Sequence, residues 1–262
     1  MTLWQAIVIF TAGFVAGAIN SVAGGGTLLT FPALVWIGID PKVANLTSTV
    51  ALWPGSLSGT VGFRRELSGS RRWMLLLGGP SILGGLVGAL LLLRTEASTF
   101  ARIVPFLILF ATLLFAAGDQ ISRRLRRPAE EKEGASASGR QNRAWWVGAA
   151  IFQFAVAVYG GYFGAGIGIL MLAALGLLGL TDIHQMNGLK NFFALCINIV
   201  AALYFMLWGP VEWPAALVMA AGSIAGGLGG AGLARKLGRT FVRRAVIFVG
   251  LAMALSLLLF RR

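Results

Sequence analysis

The chain has 262 residues, 57% of them hydrophobic and 12% charged, with a mean hydropathy of +0.81. A water-soluble globule of this size does not need so much apolar material, so soluble fold classes are excluded. The net charge of +13 would point to nucleic acid in a soluble protein, but here Lys and Arg stand in short blocks between apolar runs. That is the signature of helix orientation in a bilayer and argues for no nucleic-acid partner.

A hydrocarbon core about 30 Å thick takes roughly 20 apolar residues to cross as a helix. In chain order the apolar segments are about 3–22, 27–39, 43–63, 73–93 and 99–118, then 145–160, 166–180, 186–208, 213–234 and 243–260. The first lacks a basic start and a small-residue cleavage site, so it is expected to be a retained helix and not a signal peptide. The second and seventh are short and follow glycine clusters, which predicts half-spanning or broken helices and eight to ten full crossings. The expected fold class is therefore all-α, a polytopic membrane protein of 8 to 10 helical segments.

Between the fifth and sixth segments, residues 119–143 carry Arg123, Arg124, Arg126, Arg127, Pro128 and a Gly/Ser/Ala tract. Such a composition cannot bury a core, so a solvated linker is expected there, separating an N-terminal membrane unit (1–118) from a C-terminal one (144–262). The linker, the loop Arg64 to Arg72 and the loop around Arg235, Lys236, Arg239, Arg243 and Arg244 are all basic, which assigns them to the cytoplasm. The turns Gly38 to Lys42 and Trp208 to Glu212 then face outward, as do both termini. Trp4, Trp36, Trp73, Trp145, Trp146, Trp208 and Trp213 fall near segment ends, as interfacial belts require.

The two units match at an offset of 142 residues. Ser81, Gly84, Gly85 and Gly88 fall on Ser223, Gly226, Gly227 and Gly230, Phe63 on Phe205, and Gly24 and Gly26 on Gly166 and Gly168. Each unit has an odd number of segments, so the two are expected to insert with opposite orientation as inverted-topology repeats, with broken helices at the glycine clusters.

Three features could carry chemistry. The clusters Asn20-Ser21-Val22-Ala23-Gly24-Gly25-Gly26-Thr27 and Tyr159 to Gly168, with Gly164, Gly166 and Gly168, lack the context of a nucleotide loop. Inside a membrane they either break a helix and leave N–H groups for an anion, or let helices pack closely. Gly84 and Gly88, like Gly226 and Gly230, have the four-residue spacing of a packing seam. Asn187, Lys190, Asn191 and Asn198 share one face of the eighth segment, within roughly a 100° arc. Their counterparts Asn45, Ser48, Thr49 and Ser56 are all polar, so both stripes are expected to line one cavity near the midplane. Lys190 is an ionisable group within an apolar run, either an anion ligand or a side chain reaching the nearby interface. Each Asn, Ser or Thr has interhelical hydrogen bonding as its competing role.

His184, the single histidine, is expected in a loop beside Asp182, and Cys196 as a small packing residue that no intramolecular disulfide can claim. Nothing resembles a catalytic triad, a carboxylate pair or a zinc constellation, so neither an enzyme nor a cofactor is expected.

Gly24-Gly25-Gly26-Thr27-Leu28-Leu29-Thr30-Phe31-Pro32-Ala33-Leu34, followed by Gly38 and Ala44-Asn45-Leu46-Thr47-Ser48, resembles the TauE/SafE family of sulfite and organosulfonate exporters. So do Asn187-Gly188-Leu189-Lys190-Asn191, Gly209 to Trp213, and Gly226 to Gly230 followed by Ala234-Arg235-Lys236. The resemblance covers nearly the whole chain, with one departure: Ala173 or Ala174 stands where a proline is expected. It implies a multi-pass permease of the bacterial inner membrane that exports a sulfur-containing anion. The expected mechanism is alternating access by rocking of one repeat against the other, in a lipid bilayer, with a homodimer allowed for. An anion channel and a membrane scaffold without substrate are the alternative readings.

Overall fold

The computed structural model describes residues 1–22, 24–62, 64–67, 69–130, 143–180, 182–237 and 239–259. These form α1 (Leu3–Val22), α2 (Thr27–Trp36), α3 (Pro41–Gly62), the single turn α4 (Arg64–Leu67), α5 (Arg71–Arg94), α6 (Ala97–Glu130), α7 (Arg143–Tyr162), α8 (Ile167–Leu177), α9 (Ile183–Trp208), α10 (Trp213–Leu237) and α11 (Arg239–Leu259). Among the described residues there is no strand, and the all-helical membrane fold stands. Leu3–Asn20, Arg71–Arg94, Ala97–Gly118 and Ile183–Trp208 are long and apolar enough to cross a bilayer by length and composition. α6 continues about three turns past the expected end of its segment, to Glu130, since Arg, Leu, Ala and Glu all favour helix. The remainder of the expected linker, residues 131–142, lies outside the described residues.

Local chemistry sets the helix starts. Asp40 Oδ1 accepts from the backbone N–H of Lys42 (2.8 Å) and of Val43 (3.3 Å) at the head of α3, where Pro41 needs no hydrogen bond. Asp182, 142 residues later, does the same for α9 through His184 N–H at 2.8 Å.

α2 and α8 have 10 and 11 residues. At 1.5 Å per residue they reach only about 15–17 Å, half a bilayer core. The Gln5 carboxamide near the start of α1 donates to Ile37 O just past α2 at 3.5 Å, so both ends of the α1–α2 hairpin lie on one face of the bundle. Its tip stops inside, since Thr30 and Ser48, the latter near the middle of α3, share a 2.6 Å hydroxyl contact. The α7–α8 hairpin enters from the other face: Trp145 and Trp146 at its start pack on Trp73 at the start of α5. Only α2 and α8 are too short to cross, as expected of the segments that follow the glycine clusters, while α1 and α7 have 20 residues each, long enough for a bilayer core.

Helix packing is exchanged when each helix is replaced by its counterpart about 142 residues on. α1 packs on α10 as α7 packs on α5, α3 on α10 as α9 on α5, and α2 on α11 as α8 on α6. Small residues form the tightest seams, as in lipid, where apolar helix faces gain nothing by leaving the solvent. Gly13 and Gly17 of α1 lie against the backbone of Met219 and Ser223, and Gly226 of α10 against that of Phe14. In the other pair, Gly84 and Gly88 of α5 lie against Phe154 and Val158, and Gly161 of α7 against Gly85. The packing reading of Gly84, Gly88 and Gly226 therefore holds, while the surroundings of Gly230 lie outside the described residues.

Trp36 and Trp208 are exposed on one face, and Trp73, Trp145 and Trp146 cluster on the other, with the Arg72 guanidinium 4.8 Å from the Trp146 ring. These are the two interfacial belts expected of a membrane protein.

Candidate functional site

The two hairpin tips meet at the centre of the bundle. Gly24, Gly25, Gly164 and Gly166 all have positive φ (72°, 112°, 79° and 78°), a backbone open to glycine at little cost, and this lets each chain reverse between two helices. A methyl group on Gly24 would stand 3.0 Å from Gly168 Cα, so the tips are in near-backbone contact.

Each tip is tied by a side chain. Asn20 Oδ1 accepts the Gly26 N–H at 2.8 Å, and the Tyr159 hydroxyl donates to Ala165 O at 2.8 Å. The two ties are not counterparts at the 142-residue offset, so each half solves the same problem with a different residue. Asn20→Ala would lose the first tie and leave the Gly26 N–H without its partner, at a cost of about 1–3 kcal/mol. The expected result is at least a fivefold drop in substrate flux with a lowered unfolding temperature, read by vesicle uptake and thermal unfolding in detergent.

Between the tips, α3 and α9 lies a cavity of about 40 Å³ lined by Asn20, Gly24, Gly25, Thr27, Thr49, Ser56, Gly164, Gly168, Lys190, Asn191 and Asn198, with Leu52, Gly55, Ile167 and Ala194. At roughly 10–15 Å³ per enclosed water it has room for about three, the scale of a compact solute. Lys190 is 1% exposed and lines this cavity, so the alternative in which it reaches the interface does not hold. Asn191, 6% exposed, carries a buried Nδ2 donor with no hydrogen-bond partner among the described residues. Asn198 Nδ2 approaches Ser56 Oγ at 3.5 Å, and these two residues are counterparts in the repeat. Thr27, Ile167 and Gly168 open α2 and α8, where the first N–H groups of a helix lack an intrahelical acceptor, while those of Leu28, Leu29 and Ile169 that follow already reach Gly25 O, Gly26 O and Gly166 O.

The remaining sequence-predicted residues stand elsewhere. Asn45 donates to Tyr162 O at 2.9 Å, Thr47 Oγ1 accepts the Glu212 N–H at 3.1 Å, and Ser48 is engaged with Thr30. Asn187 turns its Nδ2 back onto Ile183 O at 2.9 Å. Gly26 and Gly166 act as the N-caps of α2 and α8 without lining the cavity, and the side chain of Ser21 lies outside the described residues, as does Ala23. Polarity alone marked the stripes, and two of the four α3 residues, Asn45 and Ser48, and one of the four α9 residues, Asn187, stand away from the cavity. Gly55 and Leu52 escape a search for polar ligands, although Pro54 beside them signals an irregular stretch of α3. There the Ser223 hydroxyl donates to Ala51 O at 2.8 Å.

Among the described residues no three His, Cys, Asp or Glu side chains come together. The site's polar groups are an ammonium, carboxamides, hydroxyls and first-turn N–H groups. The ammonium and the open Asn191 Nδ2 give the pocket charge and a donor that are complementary to an anion.

The family model described as "Sulfite exporter TauE/SafE" matches residues 9–257. The chain is 30% identical to a "Probable membrane transporter protein" of Haemophilus influenzae, over 94% of this chain and 91% of that one. It is 29% identical to "Probable membrane transporter protein YfcA" of Escherichia coli K12, over 96% and 88%, and 26% identical to "Probable membrane transporter protein YunE" of Bacillus subtilis, over 88% and 89%. No solved structure matches the chain. A glycine-broken, two-hairpin helical bundle with a polar central cavity, matched by one family model from near its first residue to near its last, belongs to the TauE/SafE family of membrane transporters.

Proposed function

We propose that the protein exports a small sulfur-containing anion, sulfite or a compact organosulfonate, across the bacterial inner membrane by alternating access. The observation that carries this reading is the junction of the buried Lys190 ammonium and the unsatisfied Asn191 Nδ2 in one cavity at the hairpin tips. A buried charge in a bilayer is costly, and it persists where a cavity or a partner repays it. An oxyanion would accept from both donors and from an open first-turn N–H, and the Thr49 and Ser56 hydroxyls, which donate to Asn45 O and Leu52 O at 3.0 and 3.2 Å, would join only by turning from those carbonyls. The units 1–118 and 144–262 act as inverted-topology repeats, so the same cavity can be opened to either side by equivalent motions.

The driving force needs no elaborate coupling. A membrane potential negative inside favours expulsion of an anion by about 2.3 kcal/mol per elementary charge per 100 mV. Uniport is therefore sufficient.

The test is a flux panel in proteoliposomes with sulfite, sulfoacetate, taurine, sulfate and thiosulfate, with and without an imposed potential. Potential-dependent flux of sulfite or a sulfonate, saturating and slow, supports the reading. Single-channel currents would replace the carrier with a channel, and no flux of any of the five would remove the proposed substrate class.

A further inference from the structure

The tight seams join helices from opposite sequence halves, so 1–118 and 144–262 cannot move as separate rigid units without tearing α1 from α10 and α5 from α7. The packing divides the bundle differently. α1, α2, α3 and α10 form one body, α5, α7, α8 and α9 form the other, and α6 and α11 pack chiefly on each other between them. Several long-range hydrogen bonds lie within one body, while Asn198 to Ser56 crosses at the cavity. Ser223 to Ala51, Glu212 to Thr47 and Gln5 to Ile37 stay within the first body, and Gln153 to Ser81 and Tyr162 to Thr95 within the second. The chain crosses at the short connections 63–70 and 209–212, and the packing crosses at the α6–α11 pair, where α6 also meets α3 and α2, and at α3 against α9 around the cavity.

Two side chains tie the bodies together on one face. The Lys42 ammonium, at the head of α3, donates to Leu93 O at 3.0 Å and to Thr95 O at 2.6 Å, at the end of α5. One turn further along α3, Asn45 Nδ2 donates to Tyr162 O at the end of α7. Both receive carbonyls that a helix C-terminus leaves over, where a cation is also favoured by the helix dipole. The counterpart positions on the other face are not used in this way. His184 replaces Lys42 and is exposed, and Asn187 replaces Asn45 with its Nδ2 turned onto its own helix.

We propose that Lys42 and Asn45 form a latch that holds the central cavity closed on the face of the Gly38 to Lys42 turn, opposite the basic loops, and that its release opens that face. The inference rests on the alternating-access reading, but it concerns which bodies move and what holds them, and its readout does not require that the substrate be known.

The test uses full-length protein carrying Cys196→Ala and Thr49→Cys, so that the single thiol lines the cavity. A membrane-impermeant maleimide is applied to right-side-out and to inverted membrane vesicles. Lys42→Met is expected to raise labelling about tenfold from the face of the Gly38 to Lys42 turn and not from the other, while Lys42→Arg, which keeps the donors, stays near the parent. Asn45→Ala should shift labelling in the same direction and serves as the second variant if Lys42→Met does not fold. Unchanged labelling with a lowered unfolding temperature would overturn the latch and leave Lys42 as a cap on α5. Increased labelling from the opposite face would overturn it equally. A protein that transports none of the five anions can still show the shift in labelling, so failure of the substrate proposal and failure of the latch are told apart.

Discussion

Replacing Lys190 by Met is expected to reduce anion flux at least a hundredfold while leaving the folded protein in the membrane. Met keeps the length and apolar stem of Lys and removes the ammonium, so the packing around 190 is retained and one buried charge is relieved. A hydrogen bond from a charged donor contributes about 1.5–3 kcal/mol, and the Coulomb attraction to an anion in a dry cavity adds to it, so a loss of 3 kcal/mol or more is a modest expectation. Lys190→Arg keeps the charge but places a larger planar group in a cavity of about 40 Å³, and intermediate flux is expected. Flux in proteoliposomes and unfolding temperature in detergent are the two measurements. A Lys190→Met protein that transports at the parent rate would show that the ammonium is structural, and would favour the scaffold reading of the polar stripes.

The second large effect is expected at the seams. Gly226→Leu would drive a side chain into the Phe14 carbonyl, and Gly17→Leu into that of Ser223. Neither contact can be relieved by a flexible side chain, because the obstructing atoms are backbone. α1 and α10 would have to separate along their length, costing the 1–3 kcal/mol typical of overpacking or more, and the hairpin tip that α1 carries would move with them. The expected outcome is loss of monodisperse protein in detergent for Gly226→Leu and retention for Gly229→Leu, whose added Cβ meets nothing within 4 Å. Size-exclusion profiles of the two variants side by side check it. Equal behaviour of the pair would mean that the α1–α10 contact does not hold the bundle together.

Both effects act through positions that sequence reading located for different reasons. Lys190 stood out because an ionisable residue in an apolar run has few uses, and the structure keeps it at the cavity. Gly84, Gly88 and Gly226 stood out by their spacing, but the spacing could not say which helix they meet. The partner lies in the other half of the chain in each case, and contacts between residues some 70 to 210 positions apart leave no local trace. The same limit explains the polar stripes. Asn45 and Asn187 are indistinguishable by pattern from Asn191 and Asn198, yet Asn45 binds a carbonyl of α7 and Asn187 a carbonyl of its own helix. Which side of a helix faces a cavity depends on where its neighbours stand.

The broken helices show the division most clearly. Hydropathy marked ten segments, and the helices fall on them within a few residues except α6, which runs on to Glu130. It could not tell a crossing from a hairpin, because an apolar run reads alike whether the chain continues or turns back at a glycine. The sequence by itself determined that this is a helical membrane protein, where its helices begin and break, that like residues recur at an offset of 142, and that a cation stands within an apolar run. Those properties follow from composition, hydropathy and the offset of 142, all of which are local or periodic. Only the tertiary structure decided that the halves interlace, that the hairpin tips meet, and that Lys42 of α3 reaches carbonyls at the end of α5, because each depends on distant segments brought within a few ångströms.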